Sequence, residues 1–303
     1  MKPPACHGLL VLDKPSGLTS RQVVDHAQQW FAAGTRLGHA GTLDPLATGV
    51  LVVCVGVATR LVEYVQRMEK TYHAVLRLGA TSTTDDADGT IEAVAVAQPP
   101  DRAQIAACLQ GFVGTIVQVP PAHSAAKVSG RRAYDLARRG HEVSLEPRPV
   151  HITTLDLLTY DYPHLELLVR CGKGTYIRSL ARDLGKRLGC GALVDQLRRT
   201  RIGLFDAASA LSLDSDRATV YAALLPLSAA VAELPHVILE QRDVHRLRQG
   251  QRVSVPDSTM LEGSSPTAID VAVFDSAKTL VAVAAADPRE RLLRPAKVLP
   301  PGA

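Results

Sequence analysis

The amino-acid sequence predicts an α+β protein, with a larger body over residues 1–235 and a small β-rich module over residues 236–303. Two observations carry this expectation. Through the first part, apolar runs and period-two alternations take turns with segments of helical spacing that open on helix caps. After Leu234 and Pro235 the chain shortens to the strand-like pieces "RVSV", "DVAVFD" and "LVAVAA", separated by turns. The 303 residues, 46% of them hydrophobic and 21% charged, suffice for one large core and a smaller companion.

The elements follow in order. "GLLVLDKP" reads as a short buried strand, and "TSRQVVDHAQQWF" as a helix opened by Thr19 with Gln22 three residues on, the capping-box pattern. The apolar run "GVLVVCVGVA" is a second buried strand, followed by a helix over "TRLVEYVQRMEK". In "TYHAVLRLG", Tyr72, Ala74, Leu76 and Leu78 alternate with His73, Val75 and Arg77, as a half-buried strand requires. "TSTTDDADGT" is a polar turn, and "DRAQIAACLQGF" a capped helix with Ile105, Leu109 and Phe112 on one face. "LELLVRC" is a strand, "GKG" a loop, and "TYIRSLARDLGKRLG" a helix that carries basic residues.

The net charge of +4 is unevenly distributed. Between Arg170 and Arg201 stand nine Lys or Arg residues against two acids, and "KVSGRRAYDLARRG" adds five against one. Both runs hold glycines and a tyrosine, Tyr134 or Tyr176, in a chain with only twelve aromatic residues, so both read as phosphate-contacting surface beside stacking platforms. The longest apolar stretches, residues 49–58 and 219–232, fall short of the roughly 20 residues that span a bilayer. No secretory signal is read at the start, and a cytoplasmic location is expected. Five scattered cysteines without a C-x-x-C pair support neither a disulfide framework nor a zinc site, and no metal is expected.

Three familiar motifs are incomplete. "GKGT" lacks the earlier glycine and the Ser or Thr after lysine of a phosphate loop. "DDADG" lacks both terminal carboxylates of a calcium loop. "SAAK", with Ser124 and Lys127, matches the start of an acyl-transferring serine site but has no companion motif.

One carboxylate stands out. In "GHAGTLDPLATGVL", Asp44 sits among small and apolar residues immediately ahead of a buried strand. Pro45 biases it toward extended backbone, and Gly38, Gly41 and Gly49 allow close approach, so the stretch is an ordered loop that delivers the carboxylate to a strand end. A buried carboxylate needs a cation, and turn capping, a structural ion pair and catalysis are all consistent with that.

The stretches "GLLVLDKPSGLTS", "GHAGTLDPLATGVL", "KTYHAVLRLG" with "DDADG", "QVPPAHSAAKVSGRRAYDLAR", "CGKGTYIRSLARDLG" and "LRRTRIG" occur in an order that closely resembles the bacterial tRNA pseudouridine synthase B family of the pseudouridine synthase superfamily. The resemblance implies a pseudouridine synthase fold, with a mixed, largely antiparallel central sheet flanked by helices and loops, an RNA-gripping thumb near residues 120–150, and a PUA-like C-terminal β domain. It implies isomerisation of uridine 55 in the tRNA T loop, by base flipping, glycosidic cleavage and reattachment at C5, with no cofactor. Asp44 is then the catalytic carboxylate, Arg178 its charge partner, and Tyr72 a stacking residue that helps remove the C5 proton. Tyr176 and Leu197 would wall the uracil, His39 would contact the substrate loop, and Asp86 would anchor the pocket. Lys14, Lys127, Arg131 and Arg132 are expected phosphate partners.

The expected partner is tRNA, gripped at the T stem-loop and, through the C-terminal module, at the acceptor stem, by a monomer that needs no membrane. Asp44, Tyr72, Tyr176, Arg178 and Leu197 all precede the C-terminal module, so a chain cut near Pro235 is expected to keep the catalytic pocket and still modify a minimal T stem-loop. Two departures from the family pattern, His123 for tyrosine and Gly172 for serine, bear on RNA contact. The competing readings are the catalytic subunit of a guide-RNA complex, a non-catalytic tRNA-binding or folding protein, and a serine enzyme using Ser124 and Lys127.

Overall fold

The computed structural model describes residues 6–124, 145–256, 268–287 and 289–302, together with the backbone of 127–128 and 131–132. The body opens with β1 (Gly8–Lys14), α1 (Ser20–Ala27), β2 (Leu37–His39), β3 (Thr48–Val55), α2 (Val62–Arg67) and β4 (Lys70–Leu78). It continues through β5 (Ala80–Ser82), β6 (Ile91–Ala93), α3 (Arg102–Gln110), β7 (Gly114–Gln118), β8 (Lys127–Val128) and β9 (Arg131–Arg132). After β10 (Arg148–Asp161), β11 (His164–Cys171), α4 (Ile177–Leu188), β12 (Ala192–Ile202) and β13 (Phe205–Asp206) comes a short helix, α5 (Arg217–Ala222).

Nine strands form the central sheet, in the order β1-β3-β12-β4-β11-β10-β7, with β2 added to β3 and β13 to β12. Every pairing is antiparallel except β3 with β12, where Arg198 lies opposite Thr48 and Arg199 opposite Gly49. This is the mixed, largely antiparallel sheet expected. Its one parallel join is tight: Gly49 has φ +100°, and a Cβ there would lie 2.2 Å from the Arg199 carbonyl oxygen, so only glycine fits.

Local chemistry accounts for the elements. Val50 to Val55 are all buried because both faces of the sheet are covered there. The Thr19 and Asp101 capping boxes open α1 and α3, and Ile105, Leu109 and Phe112 are buried as expected. The α4 helix buries Ile177, Leu180, Ala181 and Leu184 against the sheet and ends at Gly189, in the left-handed region at φ +70°. It starts two residues later than expected, with Tyr176 outside it as the N-cap. The segment expected as one helix over "TRLVEYVQRMEK" divides into a 3-10 turn, Gly56–Leu61, and α2.

Two strands are not signalled by simple alternation. Bulges between Ile152 and Thr154 and between Leu157 and Thr159 break the period in β10, and shifts between Val194 and Gln196 and between Arg199 and Arg201 break it in β12. The β7 strand alternates but keeps Val117 exposed at the sheet edge.

The C-terminal module contains β14 (His236–Leu239), α6 (Gln241–Arg248), β15 (Val253–Ser254), β16 (Ile269–Asp275), β17 (Leu280–Asp287) and β18 (Leu292–Val298), and its sheet runs β14-β16-β17-β18-β15. One face has its own core, including Val237, Leu247, Val271, Val281 and Leu293. Ala272, Leu280, Val283 and Leu299 instead join Leu61, Tyr64, Val65 and Met68 of the body in one buried cluster. Arg67 pairs with Asp270 at 2.5 Å and Lys297 with Glu63 at 3.1 Å across the same junction. Removing the chain after Pro235 therefore uncovers large apolar side chains, each worth about 1.5–3 kcal/mol when buried. Thermal unfolding of such a truncation should show a clearly lower midpoint than the full chain, and an unchanged midpoint would show that the shared cluster contributes nothing.

Candidate active site

The Asp44 loop is tied down by its neighbours on both sides. Lys14, 0% exposed at the end of β1, donates from Nζ to the carbonyls of Pro15 at 2.8 Å, Leu18 at 2.6 Å and Pro45 at 3.1 Å. The Ser20 hydroxyl donates to the Leu43 carbonyl at 3.0 Å and accepts from the Leu43 N–H at 2.8 Å. Gly17 N–H donates to the Pro45 carbonyl, and Ala47 N–H closes a turn on the Asp44 carbonyl. The carboxylate thus leaves a backbone fixed from the residue before it to the residue after.

Arg178, on the first turn of α4, brings two carboxylates together. Its Nε lies 2.9 Å from Asp44 Oδ2, and its Nη1 lies 3.3 Å from Asp86 Oδ2. The Nε–H is not aligned on the Asp44 oxygen for a hydrogen bond, so that contact is a close ion pair. Nη1 also donates to the Thr84 carbonyl at 3.0 Å, and Nη2 to the His123 carbonyl at 2.9 Å. Asp86 accepts from the Thr84 hydroxyl at 2.5 Å and the Asp88 N–H at 3.2 Å. The acidic turn is held against β12 by the Val194 N–H to Asp85 carbonyl bond and the Ala87 N–H to Val194 carbonyl bond. Arg182, one turn along α4, pairs with Asp85 at 2.9 Å. "DDADG" is therefore a clamp for two arginines.

Asp44 keeps 33% of its side chain exposed and lines a cavity of about 470 Å³. Partial loss of water pushes its carboxyl above the ordinary carboxylate range; Arg178 and Lys14 pull it down, and Asp86 adds to the rise. Tyr72, Tyr176, Arg178 and Leu197 line the same cavity. Tyr72 reaches it from β4, packed among Ile177, Leu197 and other core residues. The Tyr176 backbone is fixed by the Gln118 side chain, which accepts from its N–H at 3.1 Å.

The structure adds wall residues that sequence reasoning missed. Arg199, 1% exposed, enters from β12, and Lys70 from the start of β4. Lys70 donates to the Gln66 and Met68 carbonyls, and burial together with Arg199 and Lys173 lowers its pKa to about 8. Arg148 and Lys173 complete a basic wall. Gly172 also lines the cavity, where a Cβ would meet the His151 carbonyl at an ordinary 3.7 Å, so this departure leaves room for a small side chain. His123 serves Arg178 through its carbonyl, a role independent of its side chain.

Other expectations are corrected. Lys14 is not open to a phosphate, since its ammonium is enclosed and committed to three carbonyls. His39, expected to contact the substrate loop rather than to line the cavity, lies on β2 one residue ahead of the lining Ala40, a position that leaves that expectation as it stood. Several arginines of the run between Arg170 and Arg201 have partners in the protein: Arg198 pairs with Asp13 and Arg201 with Asp206, both with solvent access, and Arg187 stacks 4.0 Å over Phe112. The backbones of Lys127, Arg131 and Arg132 form the short ribbon of β8 with β9, while their side chains, Tyr134 and most of the expected thumb lie outside the described residues. Ser124 is buried. Among the described residues no cluster of metal-ligating groups occurs, and no helix is long and apolar enough to cross a membrane.

Residues 29–177 match the model of the TruB family pseudouridylate synthase N-terminal domain, and residues 178–232 that of the tRNA pseudouridylate synthase B C-terminal domain. A relative from Cereibacter sphaeroides named tRNA pseudouridine synthase B is 44% identical over 81% of this chain and 83% of its own. The chain belongs to the TruB family of pseudouridylate synthases. A relative of the same name from Gluconacetobacter diazotrophicus is 43% identical over 88% of this chain and 87% of its own. Among solved structures, the crystal structure of a Cbf5-Nop10-Gar1 complex superposes with a TM-score of 0.74 at 26% identity, covering 96% of this chain and 84% of that one. TruB membership makes this cavity, with its carboxylate, arginine and tyrosine, the candidate active site.

Lys14 tests how the site is held. Lys14→Met keeps the length of the side chain but takes the ammonium donor from the Pro15 and Leu18 carbonyls, at about 1–3 kcal/mol for each acceptor left unsatisfied, and leaves the Pro45 carbonyl with the Gly17 N–H. The variant should unfold at lower denaturant and turn over more slowly, with RNA affinity little changed. A loss of RNA affinity at unchanged stability would restore Lys14 as a phosphate contact.

Proposed function

We propose that this chain isomerises uridine 55 in the T loop of tRNA to pseudouridine, as a stand-alone enzyme. The observation that carries the reading is the Arg178 guanidinium held between Asp44 and Asp86 at the wall of a cavity that also presents Tyr72. The names of the relatives, tRNA pseudouridine synthase B, support tRNA as the substrate class. A cavity of about 470 Å³ has the size of a small-ligand site and suits a flipped nucleoside.

In this reading the uridine leaves the stack and enters against Tyr72, Tyr176 and Leu197, while Lys173 and Arg148 face its phosphates. Asp44, kept charged and aimed by Arg178, is the catalytic carboxylate, acting on the sugar or the base as nucleophile or at the ribose 2′ carbon as base. The N1–C1′ bond breaks, the base turns within the cavity, and C5 bonds to C1′. Bond cleavage and formation occur within one nucleotide, so the proposed reaction calls for no redox partner or group donor. The C-terminal sheet and the ribbon at Lys127, Arg131 and Arg132 are proposed to grip the acceptor stem and T stem.

The likeness to Cbf5 in a multiprotein complex keeps a guide-dependent reading in view. Purified protein incubated with unmodified tRNA transcript and no guide RNA should form pseudouridine at position 55. Asp44→Asn should abolish the product while tRNA affinity changes little, because affinity resides mainly in phosphate contacts. Product only on addition of a guide RNA would favour the second reading, and turnover by Asp44→Asn would remove Asp44 from the chemistry.

A further inference from the structure

Four cations are buried in or beside the cavity wall; Arg178 has its two carboxylates, and the other three, Lys14, Lys70 and Arg199, have none within ion-pair distance among the described residues. The two ammonium groups are accounted for by the main-chain carbonyls they serve. Arg199 differs. Its Nε donates to the Val50 carbonyl at 2.8 Å and its Nη2 to the Gly41 carbonyl at 3.2 Å, which leaves Nη1 directed at the Tyr72 hydroxyl, 3.5 Å away. The pair is set by register, since Arg199 on β12 lies opposite Tyr72 on β4, and the guanidinium carbon is 6.0 Å from the tyrosine ring centre. The two carbonyls take up Nε and Nη2 but leave Nη1, whose partner is the Tyr72 hydroxyl, so they do not account for the whole guanidinium.

We infer that Arg199 is a positioning residue for Tyr72: it holds the phenol oxygen at the cavity wall and stabilises its anionic form, so that Tyr72 takes the C5 proton of the uracil. The inference rests on the proposed isomerisation. Once C5 has bonded to C1′, leaving an N1–C6 double bond, the phenolate oxygen accepts the C5 proton, the C–H electron pair becomes the C5–C6 double bond, and the N1–C6 π pair moves onto N1. N1 takes up a proton from solvent, and the phenol later releases the one it gained.

Of the groups acting on the Tyr72 hydroxyl, Arg199 favours the phenolate, against burial and the neighbouring acidic groups. Arg199 comes from β12, Cys171 from β11 and Asp44 from its loop. Burial pushes the Cys171 thiol up to about 11, so it is neutral near pH 7. Burial also pushes the Tyr72 phenol up and Asp44 adds to that rise, while Arg199 opposes both. Rate limited by the phenolate climbs with pH, and loss of Arg199 must displace that climb to higher pH.

The test is single-turnover conversion of tRNA transcripts carrying uridine or 5-deuterouridine, followed across pH with the full chain. Arg199→Met should shift the alkaline rise of the rate upward by about one unit or more and enlarge the deuterium effect. Arg199→Lys, which keeps the charge, should stay near the wild-type profile. If Arg199→Met fails to fold, Arg199→Gln serves in its place and should give the same upward shift. A folded neutral variant with an unmoved profile and an unchanged isotope effect would reduce Arg199 to a structural residue and overturn the inference. Failure of the wild-type protein to form pseudouridine would instead strike the proposed function.

Discussion

Arg178 is buried between two carboxylates and two carbonyls, and the rest of the site is arranged around that fact. Taking a guanidinium and the Asp86 carboxylate out of water costs several kcal/mol for each ion, which close opposite charge and filled hydrogen-bond positions must offset. Asp86 and the Thr84 and His123 carbonyls supply those partners from behind. Nε is left for Asp44, the member of the group that lines the cavity. One arginine therefore does two things: it closes a structural network on its buried side and holds a reactive carboxylate on the open side.

The fold supplies the positions. The β3–β12 join is the one parallel contact in the central sheet, and it brings the end of the Asp44 loop beside Leu197 and Arg199. Gly49 makes that approach feasible, and the β4–β12 pairing then sets Tyr72 opposite Arg199. Asp44, Tyr72, Leu197 and Arg199 thus meet through register, while α4 delivers Arg178 from the adjacent helix. Lys14 serves the same end from β1, with its charge spent on the backbone that carries Asp44.

How much of this was legible depended on whether a residue's role is local. The caps at Thr19 and Asp101, the alternation of β4 and the apolar run of β3 report local geometry, and each formed as read. Asp44 was conspicuous because a charge among small and apolar residues ahead of a buried strand has few bland explanations. The roles of Arg178 and Tyr72 came from family resemblance rather than from spacing. Arg199 escaped notice because bulges interrupt the period of β12, so a buried arginine read as one more member of a basic surface run. Lys14 was misread for the same physical reason: a charged side chain carries no mark of burial until the strands around it are placed.

The account rests on Arg178 keeping Asp44 charged, and the most direct measurement is a carbon NMR titration of the Asp44 side-chain carboxyl in the wild type and in Arg178→Met, with Asp44→Asn assigning the signal. Asp44 should titrate above the ordinary carboxylate range in the wild type, since desolvation outweighs the cations beside it. Arg178→Met, if folded, should raise that midpoint further, because the largest opposing charge is gone while the burial remains. An Asp44 midpoint that stays put or falls on loss of Arg178 would contradict the account.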